Sequence, residues 1–256
     1  MNAAPVVAPA VVVDDVTVRY RMYRERNNSV KTAIMRGRRG VHEDFVALEG
    51  ISLEVPKGAT FGIVGRNGAG KSTLLKCLAR ILYPDSGSIT IDGRMASMLE
   101  LGSGFHPELS GRENVYLNAS ILGMPRKAVA AKFDEIVAFA GVGKFIDQPI
   151  KNYSSGMYVR LGFSVAINVN PDILVVDEIL AVGDAAFKEK SRAKFAELKD
   201  SGKTVIMVTH SITNIHEMCD LAAWIDGGKL KAIGNADEVA DAYAEAIEKG
   251  DDHQRR

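Results

Sequence analysis

The 256-residue sequence has few cysteines, no excess of either charge and no long uninterrupted apolar run. Its two cysteines, Cys77 and Cys219, are too few for a disulfide framework and favour a reducing cytosol. The 32 basic and 32 acidic residues balance, so overall charge gives no electrostatic footprint for nucleic acid. No stretch approaches the roughly 18 apolar residues of a membrane span. The apolar residues 1–13 lack a basic region and run into acidic residues, so we interpret them as a loose tail and a strand start rather than a signal peptide.

Strand-like apolar runs alternate with helical patterns along the chain, which indicates an α/β protein with a parallel sheet. A mostly helical block interrupts this alternation between about 108 and 166. We predict one domain over 1–256: an α/β core with an N-terminal β region (11–98 and 168–234), a helical subdomain (about 99–167), and a C-terminal helix and tail (235–256). Strands are predicted at 11–20, 45–55, 60–65, 87–93, 172–178 and 204–210, a β-type run at 221–234, and helices at 72–82 and 187–202.

A glycine-rich loop, GRNGAGKST at 65–73, fits the pattern G-x-x-x-x-G-K-[ST] and lies between a predicted strand and a predicted helix. Glycines let backbone N–H groups turn inward around phosphates, and the helix N-terminus adds positive potential. Lys71 should reach the β- and γ-phosphates, and the Ser72 hydroxyl should ligate Mg²⁺. The expected nucleotide-binding residues of this loop are Gly65, Arg66, Asn67, Gly68, Ala69, Gly70, Lys71, Ser72 and Thr73.

Acidic residues end a later apolar strand, ILVVDE at 173–178. Asp177 is expected to hold Mg²⁺ directly or through water, and Glu178 to orient or deprotonate the attacking water, because phosphoryl transfer depends mainly on positioning and charge stabilisation. The plain alternative is a strand that ends in two solvated acids. His210 ends the strand VIMVTH and is either structural or a γ-phosphate contact.

A second turn that opens a helix lies in YSSGM at 153–157, where Ser154 or Ser155 can cap the helix start. The order of P-loop, helical insert, Ser-Ser-Gly turn, VVDE and VTH resembles that of the ATP-binding cassette (ABC) ATPases over nearly the whole chain. This resemblance implies a P-loop NTPase (RecA-like) core with an inserted helical subdomain and an N-terminal antiparallel β region. It also implies ATP and Mg²⁺ as cofactors and a sandwich homodimer. In that dimer Ser154, Ser155 and Gly156 contact the γ-phosphate bound to the other subunit.

The resemblance also assigns positions outside these motifs. Compared with the family's signature LSGGQ, this chain has Ser155 in place of one of the two glycines and Met157 in place of the glutamine. No glutamine occurs from 60 to 147, and Glu100 is the nearest candidate for the metal and water contacts of the family's glutamine loop. The adenine is expected to stack on Tyr20, with Tyr23 as the rival. AVGD at 181–184 is similar to the loop that contacts the opposite subunit.

Three further stretches of the sequence are LELGSGFHPELSGRENVYLN, NYSSGMYVRLGFSVA and VVDEILAVGDAAFKEK. They are similar to the ATPases of polysaccharide exporters of the O-antigen, teichoic-acid and galactan type. This similarity implies export of a lipid-linked envelope glycan through a separate integral-membrane permease, at the cytoplasmic face of the membrane, with no nucleic acid. Some such ATPases carry a polymer-binding β-sandwich, which needs about 100 residues. We expect none here, because only 22 residues follow Gly234.

Residues 21–40 separate two early strands that hairpin turns usually join in a few residues, and they carry seven basic residues against one acidic residue. They form either a solvated loop or a contact with the membrane subunit, anionic lipid heads or the substrate's pyrophosphate.

Two other functions fit part of the sequence. One is a soluble cassette ATPase acting on DNA or ribosomes, although such proteins usually carry two cassettes or a long coiled coil. The other is a small-molecule kinase or GTPase, which would use the P-loop but has no need of the Ser-Ser-Gly helix.

Overall fold

Two β-sheets and the helices packed on them form the part of the chain that the computed structural model describes, residues 8–23, 42–98, 104–177 and 184–254. Glu100, Glu178, residues 181–183 and most of the basic segment 21–40 lie outside these ranges, so their predicted roles stay predictions.

The smaller sheet is antiparallel and has the strand order β2-β1-β4. Its strands are β1 (Pro9–Tyr23), β2 (His42–Pro56) and β4 (Ser86–Ile91). The first two strands pair antiparallel with each other, in agreement with the N-terminal antiparallel β region that the resemblance implied. Both extend beyond their predicted ends, so residues 24–41 form the connection between them.

The larger sheet has the strand order β5-β6-β7-β3-β8-β9, in which only β9 runs antiparallel to its neighbour. Strands β6, β7, β3 and β8 therefore end at one edge of the sheet, where ligands bind in open α/β sheets. The strands are β3 (Thr60–Val64), β5 (Met95–Ser97), β6 (Ile173–Asp177), β7 (Thr204–Thr209), β8 (Leu221–Asp226) and β9 (Lys229–Asn235).

Helices cover both faces of this sheet. Helix α1 (Lys71–Leu78) lies between the two sheets, whereas the opposite face packs on the later helices. Strand β6 shows both contacts: Ile173 and Val175 belong to the core around α1, and Leu174 and Val176 to the core on the other side. This alternation explains the continuous apolar run of a strand buried on both faces. The later helices are α4 (Ser155–Asn168), α5 (Ala185–Asp200), α6 (Ile212–Met218) and α7 (Ala236–Gln254).

The predicted helical block forms a core of its own from α2 (Gly111–Ile121), α3 (Arg126–Ala140) and one face of α4. A capping box starts α2: Ser110 accepts a hydrogen bond from the Glu113 amide, and the Glu113 carboxylate accepts one from the Ser110 amide. No helix within the described ranges is both long and apolar enough to cross a membrane.

The helix after the glycine-rich loop is shorter than predicted, because it ends at Leu78 rather than at residue 82. Arg80 has a left-handed φ of 58°, and the Ile81 amide donates back to the Lys76 carbonyl. These two features are those of a Schellman motif, which ends a helix. Glycine usually occupies the left-handed position, so an arginine there gave no sequence signal. Strand β5 was also missed, because three residues are too few to show a periodicity.

Candidate functional site

The glycine-rich loop connects β3 to α1 as the sequence predicted. Gly70 precedes the helix with a left-handed φ of 108°. A Cβ at this position would lie 2.7 Å from the carbonyl oxygen of Ala47 in β2. Both the conformation and the lack of space require glycine at position 70. The loop tip, residues 66–68, is exposed, and the start of α1 points its amides toward the loop.

Lys71 lies inside this loop, and only 9% of the residue is exposed. Its Nζ donates to the carbonyl oxygens of Gly65 at 2.5 Å and Arg66 at 2.9 Å. A buried ammonium needs such partners because desolvation of a charge is costly. The loop carbonyls thus hold the cation at the place where phosphate oxygens are expected to bind.

Three sequence-predicted positions share one edge of the larger sheet. Asp177 is the last residue of β6 and pairs in register with Val208, and Val64 at the end of β3 pairs with Thr209. His210 follows β7 directly and is exposed. Because β7 lies between β6 and β3, the chain position of His210 is one strand away from the start of the glycine-rich loop, and that of Asp177 is two strands away.

The Ser-Ser-Gly turn opens α4, and the cap is Ser154 rather than Ser155. The Ser154 hydroxyl oxygen accepts a hydrogen bond from the Met157 amide at 3.2 Å. The neighbouring side chains, Tyr153 and Met157, pack on the helical block, whereas the glycine-rich loop packs against β2. Ser155 is exposed in the first turn of the helix. The second turn therefore presents a helix N-terminus that belongs to a different packing unit from the loop.

Arg160 is a residue of this region that sequence reasoning missed. Its guanidinium lies 3.6 Å from the Asp184 carboxylate and 5.9 Å from the Phe187 ring centroid. Asp184 also caps α5 by accepting a hydrogen bond from the Phe187 amide at 2.9 Å. This ion pair joins the helix of the Ser-Ser-Gly turn to the end of the predicted subunit-contacting loop. Only the tertiary fold could reveal it, because the two residues are 24 positions apart in the sequence.

The candidate adenine platform contains two exposed aromatic side chains. Tyr20 in β1 lies directly opposite Phe45 in β2, and 36% of Tyr20 and 48% of Phe45 are exposed. Cross-strand partners lie on the same face of a sheet, so both rings are presented together. Sequence reasoning named Tyr20, and Tyr23 as its rival, but missed Phe45 because the register of two long strands was unknown. The side chain of Tyr23 lies outside the described residues.

We expect Tyr20→Ala to weaken ATP binding by about tenfold or more, because base–aromatic stacking contributes roughly 1–3 kcal/mol. Tyr20→Phe should bind ATP nearly as well as the wild type, since it keeps the ring. Calorimetric titration with a slowly hydrolysed ATP analogue measures these affinities, with Phe145→Ala, an exposed aromatic residue of the helical block, as the control. Unchanged affinity in Tyr20→Ala would move the platform to Phe45 or Tyr23, whose alanine variants are measured alongside.

A strand, a glycine turn that holds a buried lysine, and a helix N-terminus together define a P-loop nucleotide-binding protein. The family model described as ABC transporter matches residues 48–181, just over half of the chain. The chain belongs to the ABC transporter family, as the order of its motifs predicted.

Curated relatives match most of this chain. The O-antigen export system ATP-binding protein RfbB of Myxococcus xanthus is 50% identical over 93% of this chain and 56% of its own length. The protein of that name from Klebsiella pneumoniae is 43% identical over 93% of this chain and 99% of its own length. The teichoic acids export ATP-binding protein TagH of Bacillus cereus is 40% identical over 91% of this chain and 42% of its own length. The chain therefore spans about half the length of the Myxococcus and Bacillus relatives and nearly all of the Klebsiella relative.

Solved structures support the fold. An ATP-binding cassette in a dimeric post-hydrolysis state with ADP and Pi is 22% identical, with a TM-score of 0.69 over 88% of this chain and 98% of that one. An ATP-binding subunit of an ABC transporter is 19% identical, with a TM-score of 0.73 over 92% of this chain and 93% of that one. The predicted fold class is confirmed.

Proposed function

We propose that this chain is the ATP-hydrolysing subunit of an exporter that moves a lipid-linked cell-envelope polysaccharide across the cytoplasmic membrane. The observation that carries the proposal is the 43% identity to the Klebsiella O-antigen export ATP-binding protein over 99% of that protein's length. The geometry of Lys71 supports ATP as the ligand, because a cation held by loop carbonyls can transfer its hydrogen bonds to phosphate oxygens.

The residues at the sheet edge have separate roles in this proposal. Ser72 and Asp177 hold Mg²⁺, with Glu100 as a further contact, because hydroxyl and carboxylate oxygens are ligands that Mg²⁺ prefers. The ion supplies charge neutralisation on the phosphates when bound. Glu178 orients or deprotonates the attacking water, and His210 contacts the γ-phosphate. His210 is exposed at the end of β7, which is the edge of the sheet where the nucleotide is proposed to bind.

The Ser-Ser-Gly turn serves the nucleotide of a second copy of the chain. Ser154, Ser155 and Gly156 lie at a helix N-terminus, which favours anions. A C₂ homodimer then has two composite sites, each with the glycine-rich loop of one subunit and the Ser-Ser-Gly turn of the other. The Arg160–Asp184 ion pair supports this arrangement, because it joins that turn's helix to the segment expected to meet the partner.

The remaining parts of the proposal concern the membrane. The dimer binds an integral-membrane permease at the cytoplasmic face of the membrane, and the glycan is contacted through that permease.

The division of the chain into an α/β core, a helical subdomain and a C-terminal helix belongs to the same proposal. It is supported by the separate core that α2, α3 and α4 form.

Co-purification tests the proposal. We expect the chain, expressed in its native host, to purify from detergent-solubilised membranes as a complex with a polytopic membrane protein. The ATPase activity of this complex in vesicles should rise when lipid-linked glycan is added. The Lys71→Ala variant should still co-purify but should not hydrolyse ATP, which separates assembly from catalysis. Recovery with ribosomes or nucleic acid, and without a membrane protein, would favour the soluble cassette ATPase instead.

A further inference from the structure

The turn between β8 and β9 touches the glycine-rich loop and β2 through a single residue, Gly228. Its amide donates to the Ala69 carbonyl at 2.9 Å, and its carbonyl accepts from the Glu49 amide at 2.9 Å. Ala69 belongs to the glycine-rich loop, and Glu49 belongs to the strand that carries Phe45. One peptide segment thus links the phosphate-binding loop to the candidate adenine platform.

Gly228 has no room for a side chain. A Cβ there would lie 2.8 Å from the carbonyl oxygen of Ala47, and the residue has a left-handed φ of 76°. Gly70 faces the same carbonyl from the loop side, and a Cβ on Gly70 would come within 3.5 Å of the Gly228 Cα. The other end of the loop is equally close, because a Cβ on Gly65 would overlap the carbonyl oxygen of Ile225 in β8. The backbone of the turn therefore lies against the C-terminal end of the loop, and the backbone of β8 lies against its N-terminal end.

The side chains around the turn contribute little to this link. Lys229 and Glu49 form an ion pair at 3.2 Å, but both side chains are more than half exposed. Exposed pairs of this kind are weak. The position of the glycine-rich loop relative to β2 therefore depends on the backbone hydrogen bonds of Gly228 and on its close approach to β2.

We propose that Gly228 is a positioning residue that sets the glycine-rich loop against β2 and thereby determines the affinity for ATP. The inference rests on the proposed function, since it assumes that this loop binds ATP. A side chain at position 228 must separate the turn from β2. Because the Gly228 amide is hydrogen-bonded to the Ala69 carbonyl, displacement of the turn also displaces the glycine-rich loop. A small misplacement of a group that contacts the ligand has a large effect.

The neighbouring Gly227 provides a matched control. Gly227 and Gly228 are the two central residues of the β8–β9 hairpin, and both have positive φ, as a type I′ turn requires. A Cβ on Gly227 meets none of the described residues within 4 Å. Asparagine tolerates the left-handed conformation better than most residues, so Gly227→Asn and Gly228→Asn carry similarly little backbone strain. They differ in whether the added side chain meets β2.

We expect Gly228→Asn to weaken binding of a slowly hydrolysed ATP analogue by about tenfold or more, and Gly227→Asn to stay within about twofold of wild type. Fluorescence of Trp224, the single tryptophan, which pairs in register with Val64 before the loop, reports the titration. Equal affinities in the two variants would overturn the inference. A wild-type chain that binds no ATP would instead overturn the proposed function, so the two failures are distinguishable.

Hydrogen exchange on the wild-type chain tests the same link if Gly228→Asn does not fold. Bound nucleotide should slow exchange at the amides of Gly228 and Glu49 together with those of the glycine-rich loop. The turn at Gly202, which has a similar φ of 71°, should exchange at an unchanged rate. Slower exchange in the loop without any change at Gly228 and Glu49 would contradict the positioning role.

Discussion

Glu178→Gln is expected to stop ATP turnover while it leaves nucleotide binding intact. The substitution removes the carboxylate that orients or deprotonates the attacking water, but it leaves the cradle around Lys71 unchanged. Loss of a general base costs about 10²–10⁴-fold in rate. Asp177, the residue before Glu178 in the sequence, ends β6 at the edge where β3 enters the glycine-rich loop. Phosphate release under saturating ATP measures the rate, and calorimetry measures the affinity.

Lys71→Ala is the matched comparison for Glu178→Gln. It removes the cation that the loop carbonyls hold, so nucleotide binding itself should weaken. Light scattering gives a further readout, since Glu178→Gln with ATP should accumulate as a dimer that cannot hydrolyse its nucleotide, whereas Lys71→Ala should not. Wild-type turnover in Glu178→Gln would exclude the proposed role of Glu178.

Mixing two inactive variants is expected to restore activity. In a homodimer of Lys71→Ala, or of Gly156→Asp, both composite sites are damaged. A heterodimer of the two has one site in which both halves are damaged and one in which both are intact. If sites act independently and subunits exchange freely, an equal mixture should recover about one quarter of the wild-type turnover. No activity in the mixture, when mass spectrometry shows that heterodimers have formed, would count against composite sites.

The structure provides the control for this experiment. Among the described residues a Cβ on Gly156 meets only the Ser154 hydroxyl, at an ordinary distance of 3.9 Å, so these residues leave room for a side chain there. Gly156→Ala should therefore fold at least as stably as wild type, because alanine is a better helix former than glycine. An aspartate in the first turn is also compatible with the helix dipole. A loss of turnover in Gly156→Asp without a lower melting temperature then reports on the partner's phosphate and not on folding.

The sequence by itself determined the local chemistry of the site. The spacing GRNGAGKST predicts both the turn and the helix start, because glycines and a following helix N-terminus are what a phosphate loop needs. The buried strand that ends in Asp177 was equally readable, since a strand covered on both faces is continuously apolar. These signals are local, which is why they could be read without a structure. The same locality explains the error at Leu78: the apolar pattern continues past the helix, and the left-handed Arg80 that ends it has no distinctive residue type.

Only the tertiary structure decided which distant residues meet. The register of β1 on β2 placed Phe45 opposite Tyr20, and register depends on bulges and on the connection between the strands rather than on composition. The packing of α4 against α5 brought Arg160 to Asp184. The fold also brought Gly228 against β2 and the glycine-rich loop, and the sequence of the turn gives no sign of this contact. In each case the contact joins elements that are far apart in the chain, and the free energy of packing, not local propensity, selects it.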